Sequence, residues 1–159
     1  MIVAAFAGTG KSTLAAKYPD RIADFVCMPY KYYLDPESDS GEAEKASFEN
    51  VMREDWPCNY VEAIKVALGE YETILIPSDT GVLKLLEAEG LLYTLCYPER
   101  AAKDEYEKRF IVRGNSENFL SIFIGGWNRF MDALERDAYG KHIVLGTWQY
   151  LSDIPELTK

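Results

Sequence analysis

The first nineteen residues constrain this chain most. An apolar run, Ile2-Val3-Ala4-Ala5-Phe6, leads directly into Gly8-Thr9-Gly10-Lys11-Ser12-Thr13, and helix-forming residues follow until Pro19. Residues 2–7 read as a buried strand and residues 11–18 as a helix that opens straight out of the glycine turn. A helix begun this way has unpaired N–H groups in its first turn, and glycines let the loop backbone curl so that its own N–H groups converge with them. The product is an anion cradle at the end of a strand. Lysine at the helix start can reach terminal phosphates, and the hydroxyl after it can ligate Mg²⁺. Gly8, Thr9, Gly10, Lys11, Ser12 and Thr13 are therefore the candidate phosphate-holding residues, with Ser12 also a candidate metal ligand. Alanine stands at position 5, where the usual spacing of this loop has its first glycine. It is the smallest possible change, and it tolerates strand angles. The plain alternative is a strand-to-helix turn with a chance lysine.

The rest of the chain keeps alternating between the two periods. Strands are expected over residues 22–27, 73–77, 91–96 and 142–145, and helices over 60–70, 81–89, 99–112 and 116–136. Gly90 and Gly114 stand as stop signals after two of these helices. Residues 35–57 are polar and acidic and carry Pro36, Gly41 and Pro57; they read as a loop with at most a short helix around 43–53. Strands separated by helices throughout predict an α/β protein with a parallel sheet. No internal repeat and no interdomain linker is visible, and a single domain over 1–159 is expected.

Composition narrows the functional classes. The net charge is −9, whereas a general nucleic-acid binder is usually basic. An acidic chain holds phosphates only where cations are gathered locally. Cys27, Cys58 and Cys96 are an odd number without a CxxC spacing, which argues against a disulfide framework or a zinc site and for a reduced, cytoplasmic setting. The single histidine, His142, leaves little material for a histidine-based metal site or a Ser-His-Asp triad. No apolar run approaches the roughly 20 residues that cross a bilayer. The N-terminal run has no basic stretch before it and is read as a strand rather than a secretory signal.

Three further groups could carry chemistry. The strand Thr73-Ile74-Leu75-Ile76-Pro77 delivers Ser78 and Asp79 to its carboxyl end, where such sheets bind ligands; Asp79 is a candidate metal ligand, and alternatively a helix cap. Residues 99–113 hold five basic and four acidic side chains, a local +1 in a chain whose remainder is −10. Arg109 and Arg113 lie four apart and share a helix face, and two guanidinium groups suit a polyphosphate; the plain alternative is a solvated helix with pairs such as Glu105–Arg109. After the second strand, Tyr30 and Lys31 could hold an acceptor by stacking and charge, or the tyrosines could pack on the sheet edge; the polar stretch 35–57, with Trp56 and with Arg53 as a further substrate-binding candidate, could form a mobile cover over that site or be a disordered loop. Trp127, Trp148, Phe119 and Phe123 are read as core, Cys27 and Cys96 as buried thiols, and His142 as structural.

Taken in order, these parts resemble the P-loop nucleoside and nucleotide kinase family. The loop at Phe6–Thr13 carries the resemblance most specifically; Thr73–Asp79, the segment from Tyr97 to Asn115 and the late strand with Gly146 carry it by position. The resemblance implies a three-layer fold with a parallel five-stranded sheet and a helical lid over about residues 98–116. It implies ATP and Mg²⁺ as cofactors and transfer of the γ-phosphoryl to a small acceptor, a nucleotide or nucleoside. By the same resemblance Lys11 would hold the β- and γ-phosphates, Ser12 the metal, and Arg109 and Arg113 the transferring group. Gly146-Thr147-Trp148 would lie by the adenine. Two departures stand beside this: Ala5, and the lack of an Asp-Arg pair after the third strand. The alternatives are a P-loop NTPase coupling hydrolysis to a switch or assembly, and a nucleotide-binding regulatory protein without turnover. The guanine-reading Asn-Lys-x-Asp sequence is absent.

Overall fold

The computed structural model of the protein describes residues 1–33 and 52–159. Among these, five strands form one sheet: β1 (Ile2–Ala5), β2 (Ile22–Asp24), β3 (Thr73–Pro77), β4 (Tyr93–Pro98) and β5 (Lys141–Leu145). Their order is β2-β3-β1-β4-β5, and all neighbouring pairs are parallel. β1 is central. Its residues Ile2 to Ala5 pair with Ile74 to Pro77 on one side and with Tyr93 to Cys96 on the other, so β1 and β3 end level at the start of the glycine loop and β4 runs two residues further. The chain builds outward from β1 in one direction to β3 and β2 and in the other to β4 and β5. That reversal of order opens a crevice at the carboxyl ends of the strands.

Strand residues alternate between two cores. Ile2, Ala4, Phe6, Ile74, Ile76, Tyr93, Leu95 and Tyr97 face one layer, and Val3, Ala5, Leu75, Cys96 and Leu145 face the other. Burial on both faces explains why these strands read as continuous apolar runs. On the second face lie α1 (Lys11–Lys17), through Leu14, the 3-10 turn Leu151–Asp153 and α8 (Pro155–Thr158). The first face is covered by α3 (Cys58–Ala67), α4 (Thr80–Ala88), α5 (Lys103–Val112), α6 (Glu117–Phe123) and α7 (Trp127–Glu135). The fold is thus a parallel five-stranded α/β sheet flanked by helices, as the sequence predicts.

The aromatic residues of α5 to α7 converge on Phe6, the residue between β1 and the loop. Its ring lies 6.2 Å from Tyr106, 5.6 Å from Phe123, 5.6 Å from Trp127 and 5.7 Å from Phe130. Burying each such ring contributes about 1.5–3 kcal/mol, with roughly 0.5–1.5 kcal/mol more for a well-oriented pair. The helices over the site are therefore anchored on the residue that launches the loop.

Several element boundaries differ from the sequence reading. The expected helix over 116–136 is two helices, because Gly125 and Gly126 turn the chain between α6 and α7. A Cβ on Gly125 would lie 2.2 Å from the Ser121 carbonyl oxygen, and one on Gly126 2.5 Å from that of Ile122. The break lets Phe123 and Phe130 stack at 5.2 Å. The expected strand over 22–27 ends at Asp24. The Cys27 carbonyl accepts from the N–H groups of Tyr30 and Lys31, which starts a single helical turn, α2 (Met28–Lys31), with Pro29 in its first positions. The fourth strand begins two residues later than expected and runs on through Pro98, which sits opposite Leu145. The fourth expected helix begins as a 3-10 turn, Arg100–Ala102, before α5. Trp148, expected in the core, is 73% exposed. The short helix expected around 43–53 lies mostly outside the described residues. No helix among the described residues is long and apolar enough to cross a membrane.

Candidate nucleotide site

The loop after β1 is built by two glycines and one buried threonine. Gly8 has φ 77° and Gly10 φ 91°, left-handed angles that a side chain disfavours. Gly8 is also crowded: a Cβ there would lie 2.8 Å from the Phe110 ring. Thr9 is fully buried, and its hydroxyl donates to the Phe6 carbonyl at 2.8 Å, closing the turn internally. Gly10 precedes α1 and its carbonyl accepts from Leu14 N–H. Ala5, the departure from the usual loop spacing, is a fully buried residue of β1 paired with Pro77 and Cys96. Alanine suits this place because it is extended and packed, with no left-handed angle to adopt.

Lys11 folds back over the loop. Its ammonium donates to the carbonyl oxygens of Ala5 at 2.9 Å and Phe6 at 3.0 Å. Burial pushes its pKa down to about 8; the carboxylate of Asp24 works against that shift, and the charge of Arg113 adds to it. Arg113, at the end of α5, is thus within electrostatic reach of Lys11. Its guanidinium also lies 5.8 Å from the ring centres of Phe110 and Phe119. Thr13 is exposed on the first turn of α1.

Ser12 meets a residue that the sequence reading passed over. Its hydroxyl donates to Asp24 Oδ2 at 2.5 Å. Asp24 is the last residue of β2, set into the crevice by the register with Leu75. A lone aspartate inside Ile22-Ala23-Asp24-Phe25-Val26-Cys27 was the available signal. Treating the whole run as buried strand hid it.

Asp79 and Lys31 are brought together. Asp79 precedes α4, and its Oδ1 accepts from Gly81 N–H at 2.9 Å and Val82 N–H at 3.2 Å, an N-cap. Its Oδ2 accepts from Lys31 Nζ at 3.0 Å. Burial is the largest influence on Lys31 and opposes its charge, but the hydrogen bond and the charge of Asp79, with smaller contributions from Tyr32 and Cys27, together hold the Lys31 pKa above its ordinary value. The Trp56 ring centre lies 5.2 Å from the same ammonium. Cys27 is also nearby, within electrostatic reach of Lys31, Asp79 and Lys11, and burial pushes its thiol up to about 11. It is half-buried, while Cys96 is fully buried. Tyr30 packs its ring against Phe25 and Tyr60 at 5.6 and 5.3 Å. Arg53 pairs with Asp55 at 3.0 Å and lies 4.8 Å from the Tyr33 ring. Its backbone N–H donates to the Lys31 carbonyl at 2.8 Å.

Arg109 occupies the other side of the loop, beside the turn after β5. That turn is held tightly: Glu99 Oε1 accepts from Thr147 N–H at 2.7 Å and from the Thr147 hydroxyl at 2.6 Å, and Gln149 bonds Gly146 through both backbone and side chain. Arg109 donates to backbone carbonyls of this turn and of the glycine loop. Leu151 N–H donates to the Thr9 carbonyl at 3.0 Å. His142, away from this crevice, shares a 3.0 Å hydrogen bond with the Tyr97 hydroxyl.

Lys11, Ser12 and Asp24 offer a cation and hard oxygens around one loop, a donor set that suits phosphate and Mg²⁺. Among the described residues no group of three or more His, Cys, Asp or Glu could hold a metal; a magnesium ion here would draw further ligands from phosphates and water.

No protein-family model matches this chain, and no curated protein does either. A solved gluconokinase from Sinorhizobium meliloti 1021 is similar in structure, with a TM-score of 0.50 over 98% of this chain and 86% of that one, at 15% identity. A likeness at that identity is a likeness of fold. Together with the parallel sheet and the glycine loop at the end of β1, it shows that this chain has a P-loop kinase-like fold.

Proposed function

We propose that the protein is an ATP-dependent phosphotransferase that moves a γ-phosphoryl group to a small acceptor, a nucleotide or nucleoside. The observation that carries this reading is the loop itself: left-handed Gly8 and Gly10 bring Lys11 and Ser12 to the crevice, with Asp24 hydrogen-bonded to Ser12. In the proposed complex the polyphosphate takes the place of the Ala5 and Phe6 carbonyls as partner of Lys11. Its negative charge then restores the lysine to full protonation. Ser12 and Asp24 would hold Mg²⁺, which when bound would supply positive charge beside the phosphates. From the sequence, Asp79 is a candidate metal ligand beside Ser12, and alternatively a helix cap. With both of its oxygens committed to the helix cap and to Lys31, we assign it to orienting that lysine.

Arg113 supplies positive charge near Lys11 for the transferring group. Tyr30, Lys31 and Arg53 border the acceptor side, where an incoming hydroxyl or phosphate oxygen attacks in line. There is little covalent chemistry for the protein to perform, and catalysis is positioning plus electrostatics.

The test is ATP consumption by purified protein with Mg²⁺ across nucleosides and nucleoside and deoxynucleoside monophosphates, with Lys11→Ala as control. Turnover that depends on one acceptor and disappears in the control supports the proposal. Turnover that needs no acceptor, also lost in the control, would replace it with an NTPase. ATP binding without turnover on any acceptor would count against a nucleotide or nucleoside kinase.

A further inference from the structure

Arg109 is held by several defined contacts. Nε donates to Glu105 Oε1 at 3.2 Å, Nη1 to the Gly8 carbonyl at 3.3 Å and to the Gln149 carbonyl at 3.4 Å, and Nη2 to the Thr147 carbonyl at 3.0 Å. A guanidinium has five N–H donors, so four of the five are committed. Its central carbon lies 4.6 Å from the Tyr106 ring centre and 3.9 Å from that of Tyr150. The side chain is only 9% exposed.

The carbonyl partners come from two places in the sequence that meet here, the glycine loop and the turn after β5. Two further contacts join the same places. Leu151 N–H donates to the Thr9 carbonyl, and Tyr150 packs on Gly10, where a Cβ would lie 3.2 Å from the ring. Gly8, Thr9 and Gly10 are thus each tied to residues 147–151, and the Arg109 side chain bonds both segments. A planar fork suits this job, since its donors point in fixed directions from three separate nitrogens, whereas an ammonium donates from one point.

We propose that Arg109 is a positioning residue: it fastens the segment 147–151 to the glycine loop and so sets affinity for the nucleotide as a whole, without meeting the transferring phosphoryl group. This rests on reading the crevice as a nucleotide site. A residue that touches the γ-phosphoryl discriminates ATP from ADP. A fastener of the loop acts on both, because the α- and β-phosphates lie in the same cradle. For Arg109 to swing onto a γ-phosphate it would have to abandon four hydrogen bonds and two ring contacts at once.

The experiment compares wild type, Arg109→Ala and Arg109→Lys in two measurements: calorimetric Kd values for ATP and ADP with Mg²⁺, and hydrogen exchange of residues 146–151 and 8–10 without nucleotide. Arg109→Lys keeps the aliphatic stem and the charge but loses the fork, so it remains informative if the alanine variant folds poorly. The expected result for Arg109→Ala is a loss of tenfold or more in affinity, equal for ATP and ADP, with faster exchange across both segments. Arg109→Lys should recover part of the affinity at the same ATP:ADP ratio. Weakened ATP binding with unchanged ADP binding would overturn the proposal, and so would unchanged exchange. If wild type binds neither nucleotide, the nucleotide-site reading itself fails. If wild type binds both and the variants bind equally well, only the role of Arg109 fails.

Discussion

Replacing Lys11 by methionine should change how stability depends on pH, by an amount that the structure sets. Burial under the loop lowers the lysine pKa from 10.5 to about 8. Between those values the unfolded chain keeps a proton that the folded chain releases, so the unfolded state binds more protons and stability rises with pH. The charged lysine costs the fold its full penalty below pH 8, and the penalty is gone above pH 10.5. At 1.36 kcal/mol per unit, the difference of about 2.5 units corresponds to roughly 3 kcal/mol over the whole window. About 2 kcal/mol of it is developed by pH 9.5. The methionine variant lacks this gain. The assay is denaturant unfolding of both proteins at pH 7 and pH 9.5, read as the difference between them. Burial holds the Cys27 thiol at about 11 and the Cys96 thiol at about 12, and loss of the Lys11 charge raises both further, so both stay protonated in the folded state to pH 9.5 and contribute nearly equally in the two proteins. Wild type should gain about 2 kcal/mol on the variant between the two pH values. A difference that stays constant with pH would refute the idea that burial of a charged Lys11 costs the fold stability.

Other substitutions test other parts of the site. Asp24→Asn removes the carboxylate that opposes the fall in the Lys11 pKa, so nucleotide binding should weaken tenfold or more and should decline from a lower pH, as read by calorimetry across pH 6–9. Gly8→Ala puts a Cβ against Phe110 at a left-handed φ; a loss of about 1–3 kcal/mol is expected in thermal or denaturant unfolding, with nucleotide binding lowered further. Asp79→Ala removes a helix cap, at about 1 kcal/mol, and leaves Lys31 without its carboxylate partner. Asp79→Asn keeps an oxygen for the cap and should recover most of the stability, but not the acceptor KM if Lys31 needs the pair for its orientation.

Much of this was legible from the chain alone, for identifiable reasons. The glycine loop is written in consecutive residues, and its effect is local: positive φ at Gly8 and Gly10 and a helix opening at Lys11. The sheet was legible because buried parallel strands leave unbroken apolar runs. Contacts that join distant residues were not. Nothing near Ser12 announces Asp24, because their hydrogen bond depends on where β2 stops, and the apolar run continues three residues past that point. The junction of α6 and α7 was hidden because Phe119, Phe123 and Phe130 keep helical spacing across it; only the Gly125-Gly126 pair, with a carbonyl against each Cα, marks the turn. Arg109 was identifiable as a cation of α5, but its partners at Gly8, Thr147 and Gln149 lie 101, 38 and 40 residues away. Trp148 was misplaced into the core because an aromatic beside a buried strand usually belongs there. The turn that carries it is held instead by Glu99 and Gln149.

Equilibrium binding of ATP in the presence of Mg²⁺, wild type against Lys11→Ala, tests the central claim most directly. The account predicts one site per chain in the wild type and at least a tenfold loss of affinity in the variant. Equal affinity in the two proteins, or no binding by a folded wild type, would contradict it.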